Sequence, residues 1–150
     1  MESYGKTVQL DAELVLELLV NIDSPIVVGQ TTKGYLKIIP ITGGSFQGEH
    51  LQGTVISGGA DWNTTIGDGP QAIRQIFAKY SIQTNDGAVI SVENEGWKSV
   101  HPDNATVIAT VPKLQTADPR YDWLNYGVYV GSLTPYPQSG CVMLKFYRMK

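Results

Sequence analysis

A chain of 150 residues and 16.4 kDa has room for one domain with a hydrophobic core, read here as residues 1–150, and not for two. Eleven basic against fourteen acidic residues give a formal charge of −3 and a pI near 5.2, which argues against a nucleic-acid partner, since such proteins carry a basic field. A hydrophobic fraction of 42% excludes a disordered chain, and a single cysteine, Cys141, excludes an internal disulfide framework or a multi-cysteine metal site.

Residues 1–10 lack the basic and apolar stretches of a signal peptide. The longest apolar run, within 14–22, is interrupted by Glu17 and Asn21 and falls short of the ~20 residues that span a bilayer. A soluble cytoplasmic protein with no membrane partner is the expectation.

Residues 14–20 fit two templates. As a helix, their apolar side chains would surround the axis, with Glu13 and Glu17 as a polar edge. As a strand, Leu14, Leu16, Leu18 and Val20 line one face, and Glu13, Val15, Glu17 and Leu19 the other. No glycine or charged last turn closes a helix, and 21–25 has loop composition, so the strand is preferred. Residues 35–41, β-branched and aromatic, predict a second strand, with Pro40 indicating an edge or bulge. Gly43-Gly44 breaks that run, 46–56 continues it past bends at Gly48 and Gly53, and Gly58-Gly59 ends it before Ala60-Asp61-Trp62.

Residues 67–70 form a loop by composition. In 72–82, Ile73, Ile76, Phe77 and Tyr80 have helical spacing, yet Ile76, Ala78, Tyr80 and Ile82 also alternate as in a strand. Asn85-Asp86-Gly87 is a hairpin signal ahead of the extended 89–92, so its first arm, 77–84, is read as a strand. Glu95-Gly96-Trp97 is read as leaving the sheet and 101–104 as a polar turn. Further strands follow at 107–114, 126–133 and 142–148, with Pro135, Pro137 and Gly140 marking the last hairpin. Roughly eight to ten short strands make an all-β chain, a sandwich or a closed barrel.

Chemistry has few candidates. The two histidines, His50 and His101, lie in different turns without a second histidine or cysteine nearby, and are read as surface residues, not metal ligands. Cys141 opens an apolar stretch and is read as a small buried hydrophobe, not a nucleophile. Gly43-Gly44 and Gly58-Gly59 carry no basic residue and precede no helical pattern, so they read as bends of a barrel strand, not as phosphate loops. Asp61 beside Trp62 has two readings: a general base with a raised pKa in a ligand cavity, or a carboxylate paired within a bend beside a core tryptophan. Residues 121–126 pack three aromatics, an amide and a carboxylate together. In a strand, Tyr121, Trp123 and Asn125 would share a face suited to an organic ligand with a carbonyl or hydroxyl, or form an aromatic ladder that merely stabilises the sheet.

The motifs themselves have a precedent. Pro40-Ile41-Thr42-Gly43-Gly44-Ser45-Phe46-Gln47-Gly48, Gly58-Gly59-Ala60-Asp61-Trp62, Asp86-Gly87-Ala88 and Tyr121-Asp122-Trp123-Leu124-Asn125, with Gly131, resemble in order the uncharacterised family UPF0311, also called DUF3237. The resemblance implies a small all-β barrel with no settled activity, and places Asp61, Trp62, Tyr80, Trp123 and Asn125 at motif positions. It departs at Tyr35-Leu36-Lys37, which is less basic than the family's stretch, and over 96–104, which is shorter.

Taken together, the expectation is a single-domain antiparallel β-barrel. Two function classes follow. In the first, a small organic ligand sits inside the barrel; if the site is also enzymatic, its chemistry is proton transfer next to a carbonyl without a cofactor, as isomerisation, cyclisation or elimination. Asp61 is then the base, Tyr80 and Asn125 polarise the carbonyl oxygen, and Trp62, Tyr121 and Trp123 contact the ligand. In the second, the barrel core is filled by its own side chains, and the chain is a binding or assembly module, acting through an outer face or as a homo-oligomer.

Overall fold

From Ile76 to Thr84 every second side chain is buried, the period of a strand with one face against a core, and this overrides the helical spacing of the same segment. The computed structural model describes residues 5–99 and 108–150. Among these, nine strands build one antiparallel sheet: β1 (Ala12–Ile22), β2 (Ile26–Thr31), β3 (Gly34–Gln47), β4 (Gln52–Ile66), β5 (Ile73–Thr84), β6 (Val89–Ser99), β7 (Ile108–Gln115), β8 (Tyr129–Tyr136) and β9 (Cys141–Met149). They lie in the order β1-β9-β8-β7-β6-β5-β4-β3-β2, and β1 also pairs with β3. That extra pairing closes eight strands into an antiparallel barrel, with β2 left as a hairpin arm outside the ring. The all-β barrel expected from the short strand spacing and from the family resemblance is therefore the fold.

Several local expectations are corrected. β1 is a strand, but Leu14 is exposed and Val15 buried, because a bulge between Leu14 and Leu16 shifts the face by one residue. β3 and β4 run through their glycine pairs instead of stopping there. The register slips from Ile41↔Gly59 to Ser45↔Thr54, so the glycines turn a barrel corner inside continuous strands. Residues 95–97 stay in the sheet, Glu95 opposite Phe77 and Trp97 opposite Gln75. β2 has no counterpart among the expected strands, since Ile26, Val27 and Val28 are all exposed and show no alternation. The expected turn at 101–104, with His101, lies outside the described residues. No helix of the described residues is long and apolar enough to cross a membrane.

The corner depends on backbone contact. Gly44, at φ +140°, sits opposite Val20 across the β1–β3 seam, where a Cβ would come within 2.0 Å of the Leu19 carbonyl oxygen. Both the positive φ and the close approach require glycine. We therefore expect Gly44→Ala to destabilise the barrel by about 1–3 kcal/mol or more, measured as a lowered urea midpoint. An unchanged midpoint would mean that the seam is not held by close backbone packing.

Candidate functional site

The barrel has two unlike ends. At one, a segment of 3-10 turns, Pro119–Tyr126, folds across the opening and buries Leu124 and Tyr121 in the core. Asp118 caps the segment by accepting from the Arg120 N–H, with Pro119 in the first turn. The Tyr121 hydroxyl donates to Asp86 at 2.8 Å in the β5–β6 turn, and Arg120 bridges Asp118 and Asp86 at 2.7 and 3.0 Å. Asp86 also accepts from the Thr84 hydroxyl, a bond that holds its carboxyl below the usual range. These contacts seal the end with polar bonds at the rim and apolar side chains beneath.

The opposite end has no such cover among the described residues. There a cavity of about 190 Å3 is lined by apolar side chains, among them Val20, Ile41, Ile76, Ile108, Leu133 and Leu144, and by Asp61, Asn63, Arg74, Tyr80 and Lys98. The barrel register explains the grouping. Asp61 in β4 is directly opposite Ala78 in β5, and Arg74 in β5 directly opposite Lys98 in β6. Ile76, Ala78 and Tyr80 share the inward face of β5 with Arg74.

Asp61 accepts from the Phe77 backbone N–H at 2.9 Å and from the Asn63 amide at 3.3 Å. Burial of its carboxyl outweighs those bonds and the nearby Arg74 charge, and lifts its pKa above the ordinary carboxylate value. Tyr80 is buried, its hydroxyl has no hydrogen-bond partner among the described residues, and burial pushes its pKa well up, so it stays a neutral donor. Asn63 Oδ1 and Arg74 Nε on the same cavity are buried and unpartnered too. Behind them, Asn94, opposite Ala78, and Thr110, two residues from Ile108 on the inner face of β7, also lack partners for their side chains. An unmade buried hydrogen bond costs about 1–3 kcal/mol, so this concentration of orphans among the described residues of one half of the barrel matches a site that receives a molecule carrying a polar group.

Of the six residues singled out from the sequence, Asp61 and Tyr80 line this cavity and the other four do not. Residues 121–126 are not in a strand, so the shared face expected for Tyr121, Trp123 and Asn125 does not form. Asn125 is a clamp at the closed end: its Oδ1 accepts from Thr116 N–H at 2.8 Å, and its Nδ2 donates to Thr116 O at 2.9 Å and to Asp122 at 3.1 Å. Trp123 packs partly against the core, edge-on to His50, with Arg148 over its ring. Trp62 is 41% exposed on the outer face of β4. Asn63, Arg74 and Lys98 went unnoticed in the sequence. The available signal was phase: Arg74 falls in step with Ile76, Ala78 and Tyr80, and Lys98 with Val92 and Asn94, polar residues where alternation demands an inward side chain. Among the described residues no group of three or more histidines, cysteines or carboxylates could hold a metal ion, and Cys141 is buried and free.

Comparison with known proteins fits this architecture. The model of a family described as a protein of unknown function, DUF3237, matches residues 10–149. The chain belongs to the DUF3237 family. A UPF0311 protein of Clostridium acetobutylicum is 31% identical, over 94% of this chain and 95% of its own. One of Rhodopseudomonas palustris is 33% identical, over 84% and 89%. Among solved structures, a β-barrel-like protein of Acinetobacter baumannii superposes with a TM-score of 0.83 at 29% identity, over 99% of this chain and 100% of that one. An enzyme of Penicillium herquei has a TM-score of 0.73 at 23% identity, over 97% and 98%, a likeness of fold.

The two ends predict opposite stability effects in this DUF3237 protein. Tyr80→Phe removes a buried orphan hydroxyl and should leave the urea midpoint unchanged or raise it. Asn125→Ala strips the Thr116 N–H of its partner and should cost about 1–3 kcal/mol. Equal losses in both variants would contradict this division between site and clamp.

Proposed function

We propose that this DUF3237 protein binds a small, largely apolar carbonyl compound in the open-end cavity and moves a proton on the carbon beside that carbonyl, as in an isomerisation, cyclisation or elimination. One observation carries the reading: a carboxyl with a raised pKa and an unpartnered neutral hydroxyl, Asp61 and Tyr80, line the same apolar cavity. Asp61 in its ionised form takes the proton, and desolvation makes it a stronger base than an exposed carboxylate. Tyr80 donates a hydrogen bond to the oxygen on which negative charge develops, in an environment where such a bond is worth more than in water. The Asn63 amide holds one Asp61 oxygen and the Phe77 N–H the other, which fixes the carboxyl plane. Asn125, Tyr121, Trp123 and Trp62 have no part in this chemistry, because they lie away from the cavity. The existence of the cavity favours this reading over a module with a filled core. The enzyme of Penicillium herquei adds that a barrel of this shape can house an activity.

The test is deuterium uptake. A panel of monocyclic ketones and 1,3-diketones is incubated with protein in deuterated buffer, and exchange beside the carbonyl is followed by NMR. Wild-type protein should accelerate exchange for part of the panel, with a rate that rises with pH as Asp61 ionises and a midpoint above the ordinary carboxylate range. Asp61→Asn should lower the rate by about 10²–10⁴-fold with little change in melting temperature. Uptake that survives in Asp61→Asn, or a variant that fails to fold, would mean that Asp61 is a structural acceptor.

A further inference from the structure

The cavity's charge balance is uneven. Its mouth holds two cations on neighbouring strands, Arg74 of β5 and Lys98 of β6, directly paired across the ladder. Like charges placed opposite one another repel, and neither side chain forms an ion pair with a described residue. Arg74 is half-buried, and its Nε is buried without a hydrogen-bond partner. Among the described residues lining the cavity, the one carboxylate is Asp61, whose oxygens are already engaged by Asn63 and the Phe77 N–H. With Asp61 ionised as the base, two cations against one anion leave a net single positive charge on the described lining.

Building on the reading of the cavity as the binding site, we infer that its ligand is a monocarboxylate: an apolar body about one ring in size, carrying the reacting carbonyl, with a carboxylate held at the mouth by Arg74 and Lys98. The size follows from the volume. A cavity of about 150 Å3 holds benzene, so about 190 Å3 accommodates a ring with small substituents. The charge follows from the balance, since a single negative charge neutralises the lining where a dianion would overshoot it. The chemistry follows from the side chains: a guanidinium fork matches the two oxygens of a carboxylate, and the lysine supplies a further charge-assisted donor. The anionic group also gives the ligand one orientation, its head at the rim and its body among Ile41, Ile76, Ile108 and Leu133.

The experiment uses two probes of nearly the same shape, benzoate and benzamide, titrated into the 150-residue protein while the methyl resonances of Ile41, Ile76 and Ile108 are followed. Benzoate should bind about tenfold or more tightly than benzamide. Arg74→Gln and Lys98→Gln should each weaken benzoate about fivefold or more while leaving benzamide within about twofold; two variants guard against one that fails to fold. Benzamide binding as tightly as benzoate, or variants that weaken both alike, would overturn the carboxylate while leaving the cavity as the binding site. Neither probe moving the three methyl groups at millimolar concentration would overturn both.

Discussion

The double pairing of β1 is the constraint on which the rest of the molecule depends. β1 bonds to β9 on one side and to β3 on the other, and without the second ladder the sheet would be open, with two bare edges and a solvated inner face. The second ladder forms only because β3 approaches so closely at Gly44 and shifts register there against β4. Closure then makes alternation absolute: one face of each of the eight strands looks into the barrel, whatever its chemistry. Leu16, Leu18, Ile82, Ile90 and Phe146 use that face as core, and Asp61, Tyr80 and Arg74 line the cavity with it.

What separates core from site is how each end is covered. The 3-10 segment Pro119–Tyr126 supplies the side chains that fill one half of the interior, and its polar groups are answered by Thr116, Asp118 and Asp86. The other half receives no comparable plug from the described residues, and its polar groups are left unanswered. Folding would gain from replacing Asn94, Thr110 and Tyr80 with apolar side chains of similar shape. Their presence in the unfilled half supports the proposed site, whose requirements would oppose those of stability.

Much of this was legible in the sequence. Period-two burial in β5 and the Asn85-Asp86-Gly87 turn are local signals, and they located the hairpin against a competing helical pattern. Asp61 stood out in the sequence as a carboxylate beside a large aromatic after two glycines, but those residues equally fit a carboxylate paired within a bend, and only the barrel register puts it on the cavity. The phase of β1 was not legible, because a bulge is set by the partner strand and leaves no mark in the residues it displaces. Asp118-Pro119, a cap followed by a first-turn proline, marks the turns at 119–126, but the aromatic residues that follow also fit a strand. Asn125 and Asp61 were joined by chemistry in the sequence and are separated in space, since a list of plausible polar residues carries no information on which end of a barrel each one occupies.

The central claim is that the open end receives the ligand. It is tested most directly by soaking crystals of the protein in a set of small carbonyl compounds and carboxylic acids and locating the bound fragments. The account predicts density inside the cavity, with an oxygen within hydrogen-bonding distance of Tyr80 and an apolar body against Ile76 and Ile108. Fragments gathered in the grooves around Trp123 or Asn125, with the cavity unvisited throughout, would contradict it.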